Sequence, residues 1–97
     1  MKQFQVSAEA LQDLRDIWTY SAKTWGVDQA NRYVGDIRRT IEALAKGAAL
    51  SRSAGDVRPG YRKALVGRHA MFFVERGRVL VIVRILHQRM DAERWLK

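Results

Sequence analysis

The two histidines of this 97-residue chain, His69 and His87, lie in the same half as Arg58, Arg62, Arg68, Arg84, Arg89 and the hydroxyl of Tyr61. These are the parts that metal-free RNA cleavage requires: a base for the 2′-hydroxyl, an acid for the leaving oxygen and cations for the phosphate. The set His87, Arg84 and Arg62 would serve such a reaction. Against it, no second acid or base stands beside His87, whose neighbour is Gln88. His69 follows a turn and can simply bond backbone there, while His87 closes a strand. The same cations suit a second chemistry, contact with DNA phosphates or with an acidic protein. For that role the candidates are Arg58, Arg62, Arg68, Arg84, His87 and Arg89.

The segment that must position most of them is Val79 to Asp91, VLVIVRILHQRMD. It reads as a strand apolar on both faces, which has to be covered on both. With a period of two, Val81, Val83, Ile85 and His87 point one way and Leu80, Ile82, Arg84 and Leu86 the other. Arg84 therefore sits among aliphatic side chains. A guanidinium there is costly unless a carboxylate meets it, its tip reaches a groove, or a partner brings an anion.

Upstream, Lys2 to Val6 alternates as a short strand and Ser7 is a helix N-cap. Leu11, Leu14, Trp18, Ala22 and Trp25 recur at steps of three and four with Ile17 beside them, predicting a helix that ends near Gly26. Glu9, Asp13 and Asp16 line another face and complement the helix dipole. Asp28 caps a second helix with apolar positions Ala30, Tyr33, Val34, Ile37, Ile41, Leu44 and Ala45, stopped by Gly47. So short a link makes an antiparallel helical hairpin. Residues 47 to 58 read as a loop. Strands over Tyr61 to Val66, His69 to Glu75 and Val79 to His87 follow, with turns at Gly67-Arg68 and Arg76-Gly77. Pro59-Gly60 delivers Tyr61 and Arg62 to opposite faces of the first of these. Asp91 starts a terminal turn of helix carrying Trp95 and Leu96. The order is β-α-α-β-β-β with a short last helix, an α+β fold in which an antiparallel sheet packs on the hairpin. Its second face is expected to keep an incompletely covered groove.

Composition bounds the class. One small domain spanning residues 1–97 is expected, with 47% hydrophobic residues to form its core. There is no cysteine, so disulfides, thiolate zinc sites and cysteine nucleophiles are excluded, and neither a metal nor a cofactor is expected. The N-terminus has no apolar signal region and no run is long enough to cross a bilayer, which predicts a cytoplasmic protein away from the membrane. Residues 1–51 carry seven Lys/Arg against six Asp/Glu and residues 52–97 eleven against four, so +7 of the net +8 lies in the second half. A one-sided positive field suits an acidic protein or a nucleic-acid backbone.

Along nearly its whole length the chain resembles the ParE toxins of the ParE/RelE superfamily. The resemblance rests on Ala8-Glu9-Ala10 through Asp13-Leu14, Ile17-Trp18, Tyr20 and Trp25-Gly26; on Ala30, Arg32 and Tyr33; on Asp56 to Arg62; on Gly67 and His69; and above all on Val83 to Asp91. It implies the toxin of a type II toxin-antitoxin pair, held inactive by a ParD-type antitoxin in a heterotetramer or larger complex. The implied target is DNA gyrase, trapped on cleaved DNA, for which the toxin needs no catalytic site. RelE-type relatives instead cut messenger RNA on the ribosome, the alternative activity. An antitoxin laid along the helices and into the groove would meet Trp18, Tyr20, Trp25, Tyr33, Ile37, Arg58 and Arg84. Of the aromatics, Tyr20 is expected to be exposed, and Trp18 and Trp25 to pack inward.

Overall fold

A computed structural model describes residues 2–96. The elements are β1 (Gln3–Val6), α1 (Ala8–Trp25), α2 (Val27–Ala45), β2 (Arg52–Ser53), β3 (Arg62–Val66), β4 (His69–Arg76), β5 (Val79–His87) and α3 (Ala92–Trp95). Ser7 caps α1 as expected, its Oγ accepting from the Ala10 N–H at 3.0 Å. Asp28 does not cap α2. Gly26, at φ 97°, is the one residue between the helices and makes no side-chain cap bond, so Asp28 falls in the first turn, where its charge complements the dipole.

The sheet is five-stranded in the order β1-β5-β4-β3-β2 and it is mixed, not antiparallel throughout. β1 runs parallel to β5, with Gln3 opposite Val79 and Val6 opposite Ile82. The hairpin explains this direction. It brings the chain back to the end where β1 began, where the Lys2 N–H donates to Ala45 O at 2.9 Å. Three antiparallel strands launched from that end, β3, β4 and β5, leave the last running the same way as β1. β2, read from sequence as loop, adds a two-residue edge beside β3; two residues are too few to show a period.

A bulge breaks the alternation of β5. Phe72 is opposite Arg84 and Phe73 opposite Ile82, which leaves Val83 without a partner. Leu80, Ile82 and Ile85 consequently all join the cluster beneath the helices, although strict alternation put Ile85 on the face away from Leu80 and Ile82. Val83 and Leu86 belong to the second face.

The main core packs Ala10, Leu14 and Ile17 of α1 and Ile37, Ile41 and Leu44 of α2 against Met71, Phe73, Leu80, Ile82 and Ile85. The buried stripe of α1 is thus turned from the expected one. Small Ala10 and Ser21 lie inward, letting the helix approach the sheet closely, and the bulky Trp18 and Trp25 sit at its flanks. Ile37 is 0% exposed, which corrects its place among the partner contacts: it holds the helices to the sheet. On the opposite face, Ala54, Val57 and Tyr61 from the loop and Ala92 and Leu96 from the C-terminus pack over Ala70, Phe72 and Leu86. The groove expected there is therefore largely filled by the chain itself, leaving a depression of about 200 Å³ beside Arg52, Lys63 and Leu65. Among the described residues no helix is long and apolar enough to cross a membrane.

Candidate functional site

Arg84 finds its carboxylate within the chain. Its Nε and Nη2 donate to the two oxygens of Asp13, each at 2.8 Å. Asp13 Oδ2 also accepts the Ile85 backbone N–H at 2.9 Å. β1 stops opposite Ile82, so beyond it the edge of β5 would be bare. Helix α1 takes over the pairing: the Ser7 N–H donates to Ile82 O at 2.9 Å, Ser7 Oγ donates to Val83 O at 2.7 Å, and Asp13 receives Ile85. Arg84 then reaches the C-terminal turn, where Nη1 donates to Trp95 O at 3.3 Å and the guanidinium lies 5.7 Å from the Trp95 ring centroid. The hydrogen bond that Arg84 donates to Asp13 raises the Arg84 pKa above its ordinary value, burial opposing it. A charge held this way is a joint between α1, β5 and α3.

The sequence named Tyr33, His69 and His87 separately, and the structure brings them together in a second cluster. Tyr33 of α2 points at the β3–β4 turn, where its hydroxyl accepts the Arg68 N–H at 3.0 Å and lies 2.6 Å from His69 Nδ1. The same hydroxyl lies 3.3 Å from Val66 O, to which it donates, so Tyr33 ties the imidazole to the end of β3. The His69 ring meets the His87 ring edge-on, with centroids 5.4 Å apart. His87 Nδ1 accepts the Arg89 N–H at 3.1 Å, which leaves its Nε2 as the donor. Gly67 makes the arrangement possible. Its φ is +54°, and a Cβ there would stand 2.6 Å from the Tyr33 ring. A glycine before a histidine, with a tyrosine on the facing helix stripe, was the available signal.

Burial first, and then the neighbouring His87, lower the His69 pKa from 6.5, with Asp13 opposing. The unfolded chain therefore binds more protons than the folded one between the lowered value and 6.5, and stability rises with pH across that interval. Full stabilisation from this group is expected above about pH 6.5, with loss as the pH falls through the folded pKa. Urea unfolding between pH 7.5 and 5.5 checks it: the wild-type midpoint should fall, and His69→Gln should flatten the slope. An unchanged slope in the variant would remove His69 as the cause.

The remaining candidates are dispersed. Arg62 donates to Ser51 Oγ and Ser51 O, each at 3.1 Å. It lies opposite Phe73, whereas His87 lies opposite His69, which in turn faces Val66, four residues further along β3. At about 3.3 Å per residue that is some ~13 Å of strand. Arg84 belongs to the other face from His87. The structure thus does not bring His87, Arg84 and Arg62 together. Arg58 donates to Leu96 O at 3.3 Å and lies over the Tyr61 ring. Arg68 and Arg89 are exposed. Tyr20 is open as expected, 64% exposed, but so are Trp25 at 54% and Trp18 at 36%, contrary to the inward packing expected of them. Trp18 Nε1 donates to Asn31 across the hairpin at 2.9 Å. Tyr20, Trp25 and the linked end of the hairpin at Gly26 border a cavity of about 1190 Å³ that reaches the Tyr33, His69 and His87 cluster.

Comparison with known proteins places relatives beside this geometry. A family model described as "ParE toxin of type II toxin-antitoxin system, parDE" matches residues 4–92. The chain is 41% identical to Toxin ParE1 of Caulobacter vibrioides over 92 residues, 95% of each chain. It is 37% identical to Toxin ParE1 of Mycobacterium tuberculosis over 92 residues, 94% of each. Among solved structures, the one titled "Chromosomal ParDE TA system from P. aeruginosa" superposes with a TM-score of 0.75 at 24% identity, covering 90% of this chain and 96% of that one.

Proposed function

Because the chain belongs to the ParE toxin family of type II toxin-antitoxin systems, we propose that it acts by poisoning DNA gyrase on cleaved DNA and is neutralised by a ParD-type antitoxin. As a single toxin domain over residues 1–97 it works in the cytoplasm. With its antitoxin it assembles into a heterotetramer or larger complex. The antitoxin partner is supported by the ParDE complex whose toxin shares this fold.

The observation that carries gyrase poisoning over RNA cleavage is the engagement of Arg84. Metal-free cleavage needs cations free to meet the phosphate beside an acid and a base, and this guanidinium is already held in a bidentate pair with Asp13. Arg62 and His87 stand in different rungs of the sheet. A poison needs only a surface that fits its target, and the +7 of residues 52–97 supplies a field complementary to DNA held by an enzyme. Exposed Arg58, Arg68 and Arg89 are its proposed contacts. Trp18, Tyr20, Trp25 and Tyr33 are those for the antitoxin.

Purified toxin added to gyrase, ATP and supercoiled plasmid should accumulate linear, protein-linked DNA, and a molar excess of antitoxin should abolish it. Absence of linear product, with cleavage of messenger RNA in a translating ribosome mixture instead, would overturn gyrase as the target and restore the nuclease alternative.

A further inference from the structure

We propose that the cavity at the linked end of the helical hairpin binds a nucleotide, its base stacked on Trp25 and Tyr20 and its phosphate held by Arg68 and Arg32. The proposal does not depend on gyrase being the target. It concerns a site on the helix side of the sheet, away from the Asp13–Arg84 joint.

Size comes first. At about 1190 Å³ the cavity slightly exceeds the ~300–1,000 Å³ of ordinary small-molecule sites, and so has room for a base, a sugar and a phosphate. One wall is aromatic. Tyr20 and Trp25 meet edge to face, with centroids 5.8 Å apart and planes at 78°. That arrangement leaves ring faces open, and a planar heterocycle can stack on them. These are the two most exposed aromatic residues of the chain.

The other end is cationic and rich in donors. Arg32 projects from α2 and Arg68 from the β3–β4 turn into the same cavity. Among the described residues, neither has a carboxylate partner. Their positive charge is therefore free, unlike that of Arg84. Beside them His87 holds a fixed tautomer, because the Arg89 N–H occupies its Nδ1, and His69 is held in place by Tyr33. His87 keeps an Nε2–H for an oxygen acceptor. Free guanidinium groups and an oriented imidazole donor together are what a phosphate monoester or diester demands.

The carboxylates on the rim set the orientation. Asp16 and Asp28 border the cavity and repel a phosphate, but they accept hydrogen bonds from ribose hydroxyls and from base amino groups. The phosphate accordingly lies toward Arg68 and His87, with the base toward the link between the helices. A duplex presents neither an open base face nor an amino group free of its pair. The ligand is thus a free nucleotide or a nucleotide unit of a single strand.

The test uses the purified toxin and fluorescence polarisation of three labelled probes: AMP, a six-nucleotide single strand, and the same sequence as duplex. AMP binding that saturates identifies a free nucleotide; saturable binding of the single strand alone identifies a nucleic-acid segment. In either case Trp25→Ala and Arg68→Ala should each weaken binding at least about tenfold. Arg94→Ala, outside the cavity, should leave it unchanged. Both substituted side chains are exposed, and circular dichroism verifies that the variants fold. Overturning results are equally plain. They are no saturation by AMP or single strand up to millimolar concentration, tighter binding of duplex than of single strand, or affinity indifferent to Trp25→Ala. The last would mark the nonspecific attraction of a +8 protein for any polyanion.

Discussion

Asp13→Ala is expected to lower the unfolding free energy by about 3 kcal/mol, toward the lower end of the ~3–5 kcal/mol lost when one partner of a buried ion pair is removed. The lower end follows from the residual exposure of the pair, 12% at Asp13 and 18% at Arg84. Two costs combine. Arg84 is left without its anion among apolar neighbours, and the Ile85 N–H, which Asp13 also satisfies, loses its acceptor at a strand edge that β1 does not reach. A domain of this size has roughly 5–15 kcal/mol to lose, so the melting temperature should fall by about 12 °C or more. Replacing both partners by apolar groups, Asp13→Leu with Arg84→Met, should return a large part of the loss, since the charges no longer need compensation. Urea denaturation of the four proteins checks the cycle. If Asp13→Ala leaves the midpoint unchanged, the pair is ornamental and Arg84 becomes available as a target contact. The same measurement decides how a loss of toxicity in Arg84→Ala is read, because an unstable toxin and an inactive one look alike in cells.

That Arg84 needed an anion was legible in VLVIVRILH, and the identity of the anion was not. Asp13 is separated from it by 71 residues and lies on the helix face whose acids had a sufficient reason in the dipole. Hydrophobic period gave both helices and the three long strands, because each is long enough for a pattern to repeat. It failed where structure departs from period. Val83 carries no mark of a bulge, being as apolar and β-branched as its neighbours, and β2 is two residues long. The helix stripe misplaced Trp18 and Trp25 for a different reason. Hydrophobicity scales rank tryptophan above alanine and serine, whereas close packing on a sheet favours Ala10 and Ser21. The Tyr33, His69 and His87 cluster draws one residue from each of three elements, so no local pattern carries it.

The error at Ile37 and the error at Trp25 make one prediction when set against each other. Ile37 is fully enclosed by the main core; Ile37→Ala should cost about 2–5 kcal/mol of stability, the usual loss for an isoleucine truncated in a packed interior. It should not alter antitoxin affinity per folded molecule. Trp25, over half exposed, should behave in reverse. Trp25→Ala should move the unfolding midpoint by no more than about 0.5 kcal/mol equivalent, as surface substitutions do. Antitoxin binding should nevertheless weaken by roughly 30-fold or more, the loss of an aromatic anchor worth about 2 kcal/mol at a protein interface. Isothermal titration with a ParD-type antitoxin, paired with urea unfolding of each variant, separates the two. An Ile37→Ala protein that is stable but binds poorly would return that residue to the interface. A Trp25→Ala protein that binds the antitoxin normally would move the interface off the linked end of the hairpin. In the expected case the antitoxin lies over the mouth of the cavity. Antitoxin and nucleotide would then exclude one another, because both require the Trp25 ring and only one can cover it.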